Sequence, residues 1–345
     1  MASQVPAPRT LAAAVLLALT VTASAQHAQR HSASLLLYPE FDNRQANLTL
    51  VTVSNTNCDF TAVGGSLLAG TIDVEFNYMG RYDPKGNPIP CQKLDRTVRL
   101  TPCDTFTFIT SAHNPEHEQG FVYAFAKSAA TGEALDFDWL IGQAVKVNGI
   151  QALGYSTNAV AFRGEASPGQ PTDQDDDGIR DLDGTEYEGL GERLFVPRFV
   201  ASGIRAGYDS ELVLIGLSGG AQFTTVVDFL VYNDNEEAFS ATHTFQCWER
   251  VKLTSISGAF GNAFLQGTNH DPDEILGADL QESGWFEFWG QVAFSSAAQI
   301  DHPAVYGVLI ERLLAGAAVA DLPWESEKPT LLGDLFPQTL LGDGY

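Results

Sequence analysis

The segment Ile72-Asp73-Val74-Glu75-Phe76-Asn77-Tyr78 alternates apolar and polar residues without a break. Only a β-strand sends successive side chains to opposite faces, so this period of two predicts a half-buried strand. Leu48, Leu50 and Val53 lie in a similar run dense in Thr and Val, and Thr97–Thr101 and Thr105–Phe108 repeat the pattern. Turn-forming clusters such as Asp83-Pro84-Lys85-Gly86-Asn87-Pro88 separate the runs. Many short strands with polar turns predict antiparallel β-sandwiches. At 345 residues the chain is too long for one such domain, and two are expected.

The two halves carry similar strands in the same order. Tyr38-Pro39-Glu40-Phe41 parallels Val196-Pro197-Arg198-Phe199, and Leu48–Ser54 parallels Leu212–Ser218. Val74-Glu75-Phe76 parallels Val227-Asp228-Phe229, and Val98-Arg99-Leu100-Thr101 parallels Val251-Lys252-Leu253-Thr254. Gly120-Phe121 and Gly142 parallel Gly284-Trp285 and Gly307. The ordered series predicts tandem copies of one β domain. The expected layout is a signal peptide at 1–25, a first sandwich at 31–163, a linker at 164–193, a second sandwich at 194–320 and a tail at 321–345. Leu331, Leu332, Leu335, Phe336, Leu340 and Leu341 would either dock that tail on a domain or leave it as a strap.

Arg9, the apolar run Leu11–Val21 and the small residues Ala23-Ser24-Ala25 read as an export signal, with cleavage before Gln26. The run is short for a membrane span, which needs roughly 20 apolar residues, and no later segment is long and apolar enough to cross as a helix. Loss of Arg9 leaves 18 of the 19 basic residues against 43 acidic ones, moving the formal charge from −24 to −25. So acidic a protein is a poor fit to nucleic acid or anionic membranes. A secreted protein is expected, extracellular or periplasmic, with cell-surface association as a further option. Cys58, Cys91, Cys103 and Cys247 allow at most one pair within the first half; Cys91–Cys103 and Cys58–Cys91 both remain open. The absence of a Cys-x-x-Cys pair argues against zinc ribbons and thioredoxin-like chemistry.

Between the halves, after the linker-like Ala166–Thr172, lies Asp173-Gln174-Asp175-Asp176-Asp177-Gly178-Ile179-Arg180-Asp181-Leu182-Asp183-Gly184-Thr185-Glu186. Alternating carboxylates around a turn glycine suit calcium (Ca2+), a hard cation that takes about 6–8 oxygen ligands. Without a cation the same acids repel one another. The run resembles the calcium loops of thrombospondin type 3 repeats and dockerin-like modules over about fourteen residues. That resemblance implies side-chain oxygens from Asp173, Asp175 and Asp177, a backbone carbonyl from Ile179, and Asp181 ligating directly or through water. A strict EF-hand is not matched, because its twelfth position is Gly184. Asp183 or Glu186 then closes the shell. The expected role is structural, fixing the connection between domains, since a sensor needs paired helices that open on binding.

Other chemistry-bearing residues are weaker signals. His113-Asn114-Pro115-Glu116-His117-Glu118 spaces two imidazoles for a metal only on a helix, which Pro115 opposes. Asn269-His270-Asp271-Pro272-Asp273-Glu274 occupies a corresponding loop. Neither a Gly-x-Ser-x-Gly elbow nor a phosphate loop is present. A glycosidase-like site would draw on Asp136, Asp138 and Trp139, with Trp248, Trp285, Trp289 and Trp324 as further sugar platforms. Asn47-Leu48-Thr49 is a glycosylation sequon of consequence only in a eukaryotic secretory pathway. Pro39-Glu40-Phe41 and Val51–Asn57, a Pro-x-Phe strand followed by a Thr/Val-rich strand ending in Asn-Thr-Asn, are similar to the openings of secreted β-rich proteins of environmental bacteria; no activity comes with that resemblance. The expectation is a non-catalytic binding or adhesion protein whose extracellular ligand is cationic or calcium-bridged. The alternative is a secreted carbohydrate-active enzyme or carbohydrate-binding module.

Overall fold

A computed structural model describes residues 31–64, 67–150, 153–202, 208–233, 237–265, 282–313, 318–330 and 332–335. The expected signal peptide and the loop Asn269–Glu274 lie outside them. The chain is all-β, built from antiparallel sheets. In chain order the first half supplies β1 Leu35–Asp42, β2 Asn47–Asn55, β3 Ala62–Gly64, β4 Leu67–Leu68, β5 Ile72–Tyr82, β6 Pro88–Leu100, β7 Thr105–Ile109, β8 Gln119–Ser128, β9 Leu140–Asn148, β10 Leu153–Asn158 and β11 Val160–Phe162. There follow β12 Arg180–Leu182, β13 Leu194–Val200, β14 Tyr208–Gly216, β15 Thr224–Asn233, β16 Ala238–Phe245, β17 Trp248–Lys252, β18 Ser283–Phe294, β19 Gln299–Asp301, β20 Val305–Leu313, β21 Ala318–Asp321, β22 Trp324–Glu325 and β23 Gly333–Leu335.

One strand path is traced twice. Sheet I runs β11-β1-β8-β5-β6 and sheet III runs β22-β13-β18-β15-β16, with β19 added on β18. Sheet II runs β10-β9-β2-β7 and sheet IV runs β21-β20-β14-β17. The register agrees in detail. Phe41 faces Gly120 and Phe199 faces Gly284, each just after a bulge that holds Pro39 or Pro197. Proline has no N–H to give a ladder, so a bulge is where a strand tolerates it. The two glycines are also required by space, since a Cβ on Gly120 would lie 1.9 Å from the Met79 carbonyl oxygen and one on Gly284 2.3 Å from that of Tyr232.

Some expected correspondences differ. Val98 lies in β6 on sheet I, paired with β5, whereas Val251 lies in β17 on sheet IV, opposite Leu212. The shared Val-basic-Leu-Thr motif is therefore no structural equivalence: it closes β6 in the first half, and in the second it runs from β17 into a helical turn at Leu253–Ile256. Cys91 and Cys247 are unequal landmarks, because Cys91 sits within β6 and Cys247 between β16 and β17. Gly142 faces Val53 and Gly307 faces Leu214, so Val53 corresponds to Leu214, three residues from the alignment that matches Leu48 to Leu212. β22 completes sheet III from within the stretch expected to be tail.

Sheets I and II pack face to face. Leu36 and Tyr38 of β1, Val74 and Phe76 of β5, Val51 and Val53 of β2 and Phe108 of β7 share one core. The other face of sheet I, including Leu35, Leu37, Met79, Phe121, Tyr123 and Phe125, joins a second core that contains the apolar interior of the other half. Every residue of β1 is therefore buried. This explains why Leu35-Leu36-Leu37 and Phe121–Ala126 are continuous apolar runs rather than alternating ones: a strand covered on both sides has no water-facing set. Leu182, Tyr187 and Leu190 of the intervening segment and Leu335 of β23 belong to the same second core. β23 pairs with β12, docking that part of the tail; Leu331, Phe336, Leu340 and Leu341 lie outside the described residues.

The disulfides are Cys58–Cys103 and Cys91–Cys247, with Cα atoms 4.8 and 6.3 Å apart. Neither is one of the two pairings named as open; Cys58–Cys103 is the one pair within the first half. Cys91 and Cys247 are both buried in the shared core, where sheet I meets the second half, so the bond crosses between halves. The junction also holds a polar cluster. Trp248 Nε1 donates to the Pro39 carbonyl at 3.0 Å, the group exposed by the bulge, and Arg250 Nη1 donates to Glu40 Oε1 at 2.9 Å.

Candidate metal site

The acidic segment is an ordered turn rooted at both ends. Leu182, Tyr187 and Leu190 anchor it, and the Thr172 and Tyr187 hydroxyls are 2.8 Å apart. Asp176 and Gly178 have φ of +66° and +79°, left-handed conformations that curl the chain and that Gly and Asp tolerate. The curl brings oxygens of Asp173, Asp175 and Asp177 to within 4.8 Å of one another. Asx turns fix two of them: Asp175 Oδ1 accepts from Asp177 N at 3.2 Å, and Asp177 Oδ1 accepts from Ile179 N at 2.7 Å. Asp173 Oδ2 accepts from Gly178 N at 3.2 Å and from Arg180 Nη2 at 2.7 Å. Asp173 Oδ1 is buried without a hydrogen-bond partner. Arg180 is itself buried, its guanidinium 5.3 Å from the Phe125 ring centroid, so it ties the turn to sheet I.

Three of the seven expected ligands thus converge. Of the rest, Asp183 Oδ1 accepts from Thr185 N at 2.7 Å and Glu186 N at 3.1 Å, forming a second turn around Gly184 at φ +76°. Glu186 is buried, and its two oxygens accept from Gln174 N and Asp181 N. Both carboxylates satisfy backbone amides of their own loop. Asp181 faces a residue that sequence spacing does not indicate, Asp334 of β23. Burial, then Asp334, Glu186, Asp177 and Asp183, raise the Asp181 carboxyl to about 7; burial, then Asp177 and Asp183, raise Asp334 to about 6. The acidic field therefore extends from the turn of Asp173, Asp175 and Asp177 to β23, and a divalent cation would relieve it.

The histidine loop is packing. His113 Nδ1 lies 2.7 Å from the Tyr78 hydroxyl and its ring 4.3 Å from that of Phe108. Burial, then Arg96, lower its pKa to about 4. His117 is buried beneath Gly80 and pairs with Asn114 at 3.3 Å. Of the glycosidase-like candidates, Asp136 is buried and raised to about 6, by burial first and then by Asp138 and Glu165. Asp138 Oδ1 accepts from Ser34 Oγ at 2.6 Å and Gly164 N at 3.0 Å, a structural tie. Trp248 is core, Trp285 stacks on Tyr232 at 4.1 Å, and Trp289 lies 4.3 Å under the Arg193 guanidinium. Trp139 and Trp324 are exposed.

No family model matches the sequence, and no curated protein matches it. Among solved structures, the cowpea mosaic virus top component, a naturally occurring empty particle, aligns over 94% of this chain and 100% of that chain with 11% identity and a TM-score of 0.16. The lectin from Pleurotus ostreatus in complex with GalNAc aligns over 87% and 84% with 10% identity and a TM-score of 0.14. Likenesses this slight carry no argument.

Proposed function

We propose that the protein is an exported, non-catalytic binding or adhesion protein, made of two tandem antiparallel β-sandwich domains braced by a calcium-bound acidic loop. The observation that carries this reading is the convergence of Asp173, Asp175 and Asp177 on a turn whose base is buried between the halves. An all-oxygen donor set of this kind suits calcium, in keeping with the resemblance to thrombospondin type 3 and dockerin-like loops. The twice-traced strand path supports tandem domains. Two disulfides support an oxidising compartment. The partner is then an extracellular ligand met at the acidic surface, cationic or calcium-bridged.

Calcium at 100 times its dissociation constant should stabilise the mature protein by about 2.7 kcal/mol, raising its melting temperature by roughly 5 °C, and chelator should reverse this. Asp175→Asn with Asp177→Asn should erase the response. A melting curve indifferent to calcium and chelator sinks the calcium assignment.

The non-catalytic part is tested separately. Polysaccharide, ester and peptide substrates should emerge unchanged from incubation with the protein. The carbohydrate-active alternative draws on exposed Trp139 beside Asp138. Glycan turnover that disappears in Asp138→Asn, with the fold retained, would establish that alternative instead.

A further inference from the structure

The twice-traced strand path gives residues of sheet I their equivalents in sheet III. Counting from the matched pairs Phe41–Gly120 and Phe199–Gly284, Leu37, Met79, Phe121 and Phe125 correspond to Phe195, Tyr232, Trp285 and Trp289. The first four are buried in the core where sheet I meets the second half. Their counterparts stand on the outward face of sheet III. Trp285 and Trp289 alternate along β18 with Phe286 and Phe288, which fill the interior, so the two indoles point away from it. Trp324 of β22 shares that face through its pairing with Phe195 and is 71% exposed.

This open face has the composition of an interface. Tyr232 and Trp285 stack with ring centroids 4.1 Å apart. The Arg193 guanidinium lies 4.3 Å from the Trp289 ring centroid and holds Glu287, the carboxylate amid the rings, at 3.0 Å. Trp, Tyr and Arg are the residues that most often carry the binding energy of a protein–protein contact.

The junction inside the chain shows what such a face accepts. β14 lies against β1 and β17 against β8, so sheet IV meets sheet I. The face it presents carries Val213, Ile215, Trp248 and Val308, all buried in the shared core. Val53 corresponds to Leu214, so Thr52 corresponds to Val213, and the equivalent face in the first half is the outward face of sheet II. That face is open too. Ser156, Val145, Leu50 and Ile109 form one cross-strand row on it. The four strands of sheet II contain no Asp, Glu or Arg, and their single lysine, Lys146, is buried. In a chain of 43 acids against 19 Lys and Arg, copies repel one another over most of their surface, and an uncharged sheet is where two can meet.

We propose that the protein associates with further copies of itself head to tail, the aromatic face of sheet III on one copy docking on the uncharged face of sheet II on the next. The contact repeats between copies the junction that sheets I and IV make within one. The two surfaces differ, so the contact is heterologous and extends into open chains or rings instead of closing as a two-fold dimer. Threonines of sheet II stand where sheet IV has valine, which keeps the association weak and reversible.

Sedimentation velocity of the intact protein, from about 1 µM to about 1 mM, tests this. The mean mass should rise with concentration past that of a dimer, and more steeply at about 0.5 M salt, where repulsion between copies is screened. Trp285→Glu on sheet III and Val145→Glu on sheet II should each weaken association at least tenfold. An equimolar mixture of the two should recover heterodimers and stop there, because each variant keeps one sound face. Trp324→Glu, at the most exposed of these indoles, provides a second sheet III variant; it should weaken association several-fold while the melting temperature holds. A dimer that survives Val145→Glu would mean that two sheet III faces meet, and would overturn the head-to-tail contact. Association unaltered in all three variants, or a mixture no more associated than its components, would overturn it as well. So would a monomer at every concentration; Trp285-dependent binding of cellohexaose by that monomer would make the face a glycan platform instead.

Discussion

Replacing Cys91 and Cys247 with serine should lower the stability of the protein by about 5 kcal/mol and its melting temperature by roughly 10 °C. The bond joins positions 156 residues apart, and the entropy it removes from the unfolded chain grows with the logarithm of that separation. Cys58–Cys103 spans 45 residues, for which the same relation gives about 4 kcal/mol. The two bonds should part company under mild reductant. Cys58 and Cys103 are exposed, whereas Cys91 and Cys247 are buried in the core that both halves share. Thiol labelling of the native protein should therefore find Cys58 and Cys103 first, and Cys91 and Cys247 only as the protein unfolds. The shared core further implies that the halves melt together in one transition. Calorimetry of the Cys91→Ser/Cys247→Ser variant checks both magnitude and cooperativity. A loss below about 1 kcal/mol, or two transitions in the parent protein, would show that the halves fold as independent units.

What sequence could and could not reveal follows from distance along the chain and from which faces meet water. Strand β5 announces itself: Ile72–Glu75 alternates buried and half-buried residues and the pattern marks the element correctly, although every residue from Phe76 to Gly80 is buried, Asn77 included. β1 and β8 are covered on both sides, so their apolar runs carry no period and give no hint of the second layer. The acidic segment has the composition of a linker, yet its apolar residues Leu182, Tyr187 and Leu190 are core. Three carboxylates of one short turn were legible because Asx geometry is local. Asp334 was not, because only the pairing of β23 with β12 brings it opposite Asp181. Glu40, Lys146 and Arg250, which meet in one cluster, come from three separate strands and form no motif at all. Likewise Cys91 meets Cys247 only once sheet I has packed against the other half.

Glu40→Gln should destabilise the protein by about 3–5 kcal/mol, the usual penalty for breaking a buried ion pair by removing one partner. Glu40 is buried in β1, where Lys146 from its own half and Arg250 from the other meet it, and the Tyr155 hydroxyl donates to Oε2 at 2.8 Å. Burial alone would raise the pKa of this carboxyl; Arg250 and Lys146 overcome it and hold the value down to about 2. Burial draws the Lys146 ammonium downward, so the charge that anchors the cluster is the guanidinium of Arg250. The folded value lies below that of the unfolded chain, near 4.5. The stabilisation is therefore present above about pH 4.5 and lost as the pH falls from there towards about 2, in all about 3 kcal/mol. In Glu40→Gln that acid limb should flatten, because the group whose protonation drives it is gone. Arg250→Met should remove it too, by releasing Glu40 to a higher pKa, and it would also break the hydrogen bonds to Glu211. Denaturant unfolding of the three proteins between pH 2 and 6 separates these effects. A parent whose stability in that window matches the slope of Glu40→Gln would show that Glu40 does not bridge the halves as an ion. Convergence of parent and variant at the acid end, with a gap of several kcal/mol at pH 6, is the expected outcome, and it would show Glu40 and Arg250 acting as an ionic tie between the halves.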